Sequence, residues 1–347
     1  MSRLQVYLSY PHDPDVDRLV AALGPHADAV DLIAGPGYQD VPDVRTRKRS
    51  GTFSGRDGEP ELTGEHVEAY GRAEVLVALD VPHRLAELSP HLRWIQACGA
   101  GVGQFGEATL GARGVTLTSA QGIGAPPIAE FVIGRLLELY KRFRDLDRLQ
   151  QERRWEFTPG ESLGGRTMVI VGLGAIGTEV AVRARAFGVR TIGVRRSYVA
   201  GATSPVVDVL CGPGQLDEVL PEADIVVLAA PETPETKGLF DAATLARMRP
   251  GAVLCNVARG SLVVESALVD AMVSGHLRAA ILDVVAQEPL PDDSPLWATE
   301  GVVLSPHSST SPDGYFDRLL DLVAANLRRF LAGEPLANVV DLDLVGR

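Results

Sequence analysis

The sequence predicts a doubly wound α/β fold, and three observations carry that expectation. Strands and helices alternate from 163 to 306; several of the strands are apolar on both faces; and Gly172-Leu-Gly-Ala-Ile-Gly177 lies between a β-branched run (168–171) and a helical run opening at Ile176. Strands covered by helices on both sides form parallel sheets, because the crossover helices occupy both faces. In the glycine turn, Gly172 permits the sharp bend, Gly174 lets the backbone approach a pyrophosphate without a Cβ, and Gly177 lets helix and strand pack closely. A pyrophosphate there meets the unpaired amides and positive dipole end of the helix.

The elements follow in order. Residues 4–8, 15–23 and 30–33 read as strand, helix and strand. From 35 to 64 the chain is polar and rich in Gly, Pro and charge, including Arg45-Thr-Arg-Lys-Arg49 and Gly55-Arg-Asp-Gly58; it reads as a long solvated loop. Strands at 75–79 and 93–97 precede Gly99-Ala-Gly101-Val-Gly103, a small-residue turn whose backbone amides suit a carboxylate. Pro126 and Pro127 then open an amphipathic helix carrying Ile128, Phe131, Val132, Leu136, Leu137 and Tyr140 and expected to run to Leu149.

After the glycine turn come a strand at 190–194, a strand and helix within 206–220, and a strand at 225–229. A helix at 241–248, a strand at 253–257, a helix at 265–273 and strands at 279–284 and 302–305 complete the alternation. Gly188 and Gly275 stand where helix ends are expected. A last helix, 312–331, presents Leu319, Leu320, Val323, Leu327 and Phe330 at helical spacing. The early chain lacks a complete fold of its own, so this helix is expected to return to it. Two domains result: 1–120 with 308–347, and an inserted dinucleotide-binding domain, 121–307.

With 347 residues the chain exceeds one typical domain. No apolar stretch is long enough to span a bilayer and the N-terminus lacks a signal-peptide core, so a cytoplasmic location is expected. Cys98, Cys211 and Cys255 are odd in number and lack metal-ligand spacing, which favours buried free thiols. A net charge of -12 argues against nucleic acid as partner.

Ligands in open parallel sheets lie beyond the C-terminal strand ends, which singles out Arg259, Glu288 and His307. Arginine grips a carboxylate and a neighbouring carbonyl through two parallel hydrogen bonds. Histidine passes protons near neutral pH, and an adjacent carboxylate stabilises its imidazolium. The set matches reduction of a 2-oxo acid. His12, His26, His66, His83, His91 and His276 read as structural, and no histidine pair has metal-ligand spacing.

These segments resemble the D-isomer-specific 2-hydroxyacid dehydrogenase family. The likeness rests on Leu163-Gly-Gly-Arg-Thr with the glycine turn, Pro231-Glu-Thr-Pro-Glu-Thr-Lys-Gly238, Met248-Arg-Pro-Gly-Ala252, Asn256-Val-Ala-Arg-Gly260, Asp283-Val-Val-Ala-Gln-Glu-Pro289 and Ser305-Pro-His307, in matching order and spacing. It implies a Rossmann sheet inserted into a flavodoxin-like substrate domain, and a homodimer formed through the 126–150 helix region. It implies Arg259 on the substrate carboxylate and oxo group, His307 as acid/base, Glu288 as its partner, and the Ala100 and Gly101 amides on the substrate carboxylate. The implied cofactor contacts are Gly172, Gly174, Ala175, Ile176, Gly177, Pro231, Val257, Ala258, Arg259, Asp283, which holds the nicotinamide carboxamide, and His307.

Two departures matter. At the end of the second dinucleotide-domain strand, NAD-using members carry an acid, whereas this chain has Arg195-Arg196-Ser197, which favours a 2′-phosphate and hence NADP over NAD. After His307 stand Ser308-Ser309-Thr310, where many members have small apolar residues and glycine. The expected function is hydride transfer between NAD(P)H and a small 2-oxo acid of the glyoxylate or hydroxypyruvate kind, giving the D-2-hydroxy acid. A non-catalytic NAD(H)-sensing corepressor or scaffold is the alternative. Because no further domain follows 331, the regulated phosphoglycerate enzymes are disfavoured.

Overall fold

The computed structural model describes residues 3–10, 15–33, 35–49, 58–105 and 113–340. The chain divides into two compact units, Met1–Ile123 with Pro312–Arg347, and Gly124–Ser311.

The first unit contains β1 (Leu4–Ser9), α1 (Val16–Leu23), β2 (Val30–Ile33), α2 (Pro42–Arg49), α3 (Gly64–Arg72), β3 (Val75–Ala78), α4 (Leu85–Leu88), β4 (Trp94–Ala97) and β5 (Thr116–Thr118). Its strands form one parallel sheet in the order β2-β1-β3-β4-β5, the flavodoxin-like arrangement. Side chains alternate across the sheet. Tyr7, Leu76, Ile95 and Leu117 pack on one face with Tyr70 of α3, and Val6, Val75, Val77 and Trp94 pack on the other with Leu19 and Leu23 of α1. Asp15 starts α1 by accepting the Arg18 amide at 2.9 Å, satisfying one of the amides a helix start leaves unpaired.

The second unit contains α5 (Ala125–Tyr140), α6 (Phe143–Gln151), β6 (Thr167–Val171), α7 (Ala175–Ala186), β7 (Arg190–Val194), β8 (Val209–Cys211), α8 (Leu216–Val219), β9 (Ile225–Leu228), α9 (Ala242–Arg247), β10 (Ala252–Asn256), α10 (Glu265–Val273), β11 (Leu277–Leu282) and β12 (Val302–Leu304). Its seven-stranded parallel sheet runs β12-β11-β10-β9-β6-β7-β8, the doubly wound dinucleotide-binding order. Met168, Ile170, Ile225, Val227, Val253 and Cys255 meet α5 and α7 on one side; Val169, Val171, Val226, Leu228 and Leu254 meet α9 and α10 on the other. Burial of both faces explains the unbroken apolar runs in these strands. The chain then re-enters the first unit as α11 (Tyr315–Ala332), burying Leu319, Leu320, Val323, Ala324 and Leu327 beside β1, β3 and α1. Gly188 and Gly275, at φ 73° and 72°, follow α7 and α10 in the left-handed conformation that ends helices. All three cysteines are buried and free.

The structure corrects two expectations. Among the described residues the 35–64 segment is not loop throughout: it contributes α2, and α3 begins at its end. Two of its charges, Lys48 and Arg45, are paired inside the protein: Lys48 Nζ lies 3.0 Å from Asp40 Oδ2 and 2.7 Å from Glu59 Oε1 and donates to the Val81 carbonyl at 2.8 Å. Arg45 binds the fully buried Asp80 carboxylate, its Nε 2.9 Å from Oδ1. Burial pushes the Asp40 carboxyl above its ordinary value, countered by hydrogen bonds from Lys48 and Tyr38. Composition marks such a stretch as polar because it cannot show which charges meet, and only the pairing makes their burial tolerable. Part of the segment (50–57), with Gly55, Arg56 and Asp57, and also His12, lies outside the described residues.

The expected single helix to Leu149 is two helices. Lys141 and Arg142 interrupt it, Arg142 adopting φ 58° and pairing through Nε with Asp145 Oδ2 at 2.7 Å. Neither residue is glycine or proline, so the helical periodicity runs through the break unmarked. Among the described residues no helix is long and apolar enough to cross a membrane, and no cluster of His, Cys, Asp and Glu is arranged to hold a metal.

Candidate active site

The β6–α7 turn shows why three glycines are spaced as they are. Gly172 has φ 101°, and a Cβ there would stand 2.4 Å from the Ala230 amide nitrogen; at Gly177 a Cβ would stand 2.1 Å from the Gly172 carbonyl oxygen. Both positions therefore require glycine for the turn and the strand to approach. At Gly174 a Cβ would meet nothing within 4 Å, so that glycine's smallness serves the open space in front of α7. Gly174 is also the helix N-cap and provides no side-chain acceptor, which leaves the first amides of α7, those of Ala175, Ile176 and Gly177, for an anion. These features fit a dinucleotide pyrophosphate. Arg195, Arg196 and Ser197 are exposed directly after β7, Pro231 is exposed after β9, and Val257 and Ala258 are buried after β10.

At the end of β10, Asn256 is buried and curls the chain that follows. Its Nδ2 donates to the Arg259 carbonyl at 2.9 Å while its Oδ1 accepts the Ala258 amide at 3.0 Å. Arg259 is thereby presented to solvent, its Nη1 resting 2.7 Å from the Ala258 carbonyl. The next residue, Gly260, lies against another loop: a Cβ there would be 1.9 Å from the Val285 carbonyl carbon. The Arg259 turn and the segment leading to Glu288 are thus in direct backbone contact. Glu265, in the first turn of α10, supports that segment by accepting the Ala286 amide at 2.7 Å.

Glu288 Oε2 lies 2.9 Å from His307 Nδ1. An ionised carboxylate accepts and cannot donate, so Nδ1 carries the hydrogen and Nε2 is left to exchange a proton with a ligand. The two side chains are 51% and 41% exposed for His307 and Glu288; solvent screening makes the pair an orienting contact more than a large electrostatic one. His307 itself has φ 52°, and its amide donates to the Asp283 carbonyl at 2.8 Å.

Ala100 and Gly101 belong to the first unit. Among the described residues their amides make no hydrogen bond. The turn they occupy is anchored just upstream, where the Cys98 amide donates to Ala78 at 2.8 Å and the Tyr315 hydroxyl donates to the Cys98 carbonyl at 2.7 Å. Of the histidines read as structural, His66 caps α3 through Thr63, and His276 Nε2 lies 3.1 Å from the Leu245 carbonyl. In the sequence Asn256 and Gly260 stand only as the ends of a matching segment, with no role of their own, and Glu265 is not singled out. The strand-end argument that marked Arg259 also reaches Asn256; the partners of Gly260 and Glu265, Val285 and Ala286, lie more than 20 residues away and carry no local signal.

The chain is similar to several known proteins. The family profile described as D-isomer specific 2-hydroxyacid dehydrogenase, NAD binding domain, matches residues 133–309. A hydroxypyruvate reductase of Blautia hydrogenotrophica is 30% identical over 287 residues, covering 80% of this chain and 88% of that protein. A D-3-phosphoglycerate dehydrogenase of Mycobacterium leprae is 36% identical over 268 residues, and the match spans 77% of this chain but only 50% of that longer protein. The crystal structure of a D-isomer specific 2-hydroxyacid dehydrogenase from Xanthobacter autotrophicus Py2, in complex with NADPH and MES, superposes with a TM-score of 0.72 at 27% identity over 99% of both chains.

Proposed function

The chain belongs to the D-isomer-specific 2-hydroxyacid dehydrogenase family, and on that premise we propose that it reduces a small 2-oxo acid of the glyoxylate or hydroxypyruvate class to the D-2-hydroxy acid with NADPH. The observation that carries the reading is the contact of His307 with Glu288, made just beyond the C-terminal ends of the sheet that bears the glycine turn.

Bound NAD(P)H supplies a hydride to the carbonyl carbon of the substrate. Arg259 takes the substrate carboxylate and oxo oxygen, polarising the carbonyl and holding it in register. His307 delivers a proton from Nε2 to the developing alkoxide, so that C=O becomes CH–OH, and Glu288 keeps Nδ1 protonated and stabilises the imidazolium. On the family resemblance, the amides of Ala100 and Gly101 serve the substrate carboxylate. Gly172, Gly174, Ala175, Ile176 and Gly177 take the pyrophosphate; Pro231, Val257, Ala258 and Asp283 take the remainder of the dinucleotide. Exposed Phe143, Leu146, Trp155 and Phe157 support a homodimer through the region of α5 and α6, and three buried free thiols support a cytoplasmic location. Reduced-nicotinamide consumption with glyoxylate, hydroxypyruvate and a branched 2-oxo acid tests the activity. Absence of turnover with every 2-oxo acid would sink it.

The preference for NADPH rests on Arg195, Arg196 and Ser197, exposed after β7 with no carboxylate among them. In the Arg195→Asp, Arg196→Ala double variant, the ratio of kcat/KM for NADPH to that for NADH is expected to fall about 10²-fold, two charge-assisted hydrogen bonds being lost and a repulsive charge gained. An unchanged ratio would show both arginines to be solvated bystanders.

A further inference from the structure

We propose that Asp283 and Ser309 are positioning residues for His307: the Asp283 carboxylate is the peg around which residues 305–309 are wound, and the Ser309 hydroxyl locks the winding. The inference rests on the reading of His307 as proton donor.

Asp283 follows β11 and is 2% exposed. Its Oδ1 accepts from three donors, Ser305 Oγ at 2.6 Å, the Ser308 amide at 2.9 Å and the Ser309 amide at 2.9 Å, while Oδ2 accepts from Ser309 Oγ at 2.5 Å. The Asp283 carbonyl takes the His307 amide as well. One buried residue thus gathers a donor from each of Ser305, His307 and Ser308 and two from Ser309. A carboxylate offers about four acceptor sites, and these four donors match that capacity, three of them crowded onto Oδ1.

The winding explains the backbone of His307. A non-glycine residue at φ 52° is unfavourable in isolation and persists only where its surroundings over-determine it. Here the reversal at His307 turns the next two amides onto a single oxygen, and the energy of those charge-assisted bonds sustains the left-handed conformation. The conformation in turn sets the root of the imidazole whose Nδ1 meets Glu288. The hydroxyls of Ser305 and Ser309 are the side-chain donors in this network, and that of Ser309 makes the bond on Oδ2 that a glycine or alanine would lack. Ser309 is 6% exposed and has no solvent substitute for that bond.

The experiment compares Ser309→Ala and Ser309→Thr in the full chain. In the nucleotide-free protein, amide hydrogen exchange at Ser308 and position 309 is expected to quicken about tenfold in Ser309→Ala and to remain at the wild-type rate in Ser309→Thr, with the melting temperature little changed. With NADPH and a 2-oxo acid, kcat should fall about tenfold in Ser309→Ala, KM for NADPH should stay within about twofold, and the threonine variant should recover the loss. Unchanged exchange in Ser309→Ala overturns the lock; faster exchange with undiminished kcat overturns its role in positioning His307. If the wild-type protein turns over no 2-oxo acid, the dehydrogenase reading and the positioning role fall together, while the exchange data still decide the winding of the loop.

Discussion

Replacing His307 with alanine is expected to lower kcat for 2-oxo-acid reduction about 10²- to 10⁴-fold, with NADPH binding within about twofold of wild type. The magnitude follows from removing a positioned proton donor from a step that leaves negative charge on oxygen. Binding should survive because the nucleotide's phosphates rest on the glycine turn and the N-terminus of α7, to which the imidazole contributes nothing. Steady-state kinetics and fluorescence titration with NADPH separate the two quantities. A kcat within threefold of wild type would exclude His307 as the proton donor, whatever its contact with Glu288.

Removing the guanidinium in Arg259→Ala should instead be felt mainly in KM. Two charge-assisted hydrogen bonds to a carboxylate and carbonyl amount to about 3 kcal/mol, or about 10²-fold in kcat/KM. The larger share is expected in KM for the 2-oxo acid because the carboxylate is bound in both ground and transition states. Arg259→Lys should recover only part of the loss, since an ammonium cannot offer two parallel donors. The fold should tolerate both changes, because the side chain is exposed and its structural bonds run through its own main chain: Asn256 Nδ2 reaches the Arg259 carbonyl, not the guanidinium. A KM that did not move would place the substrate carboxylate elsewhere.

Much of the second unit was legible in advance because its signals are local. Strand β7 and helix α10 occur at the expected 190–194 and 265–273, and the glycine turn separates strand from helix as its spacing requires. Each of these depends on a handful of neighbouring residues. The first unit was harder to read. Lys48 and Arg45 look solvated in a linear reading, yet their partners Asp40, Glu59 and Asp80 lie up to 35 residues away and allow Lys48 to be buried and Arg45 to be partly so. The break at Arg142 was likewise hidden, as an ordinary arginine occupies a left-handed position there.

For the candidate site, residue type and place at a strand end sufficed to pick out Arg259, Glu288 and His307, because in a parallel sheet the C-terminal ends of strands share one edge. Sequence thus determined the architecture of the dinucleotide unit, the glycine turn and the chemical types gathered at its rim, all of which follow from short-range periodicity and local backbone demands. Tertiary structure alone decided that Glu288 reaches Nδ1 of His307, that Gly260 must lie against Val285, and that one buried carboxylate gathers the loop from Ser305 to Ser309. Those facts are distances between atoms far apart in the chain, set by how strands stack and loops close, and no local pattern of residues encodes them.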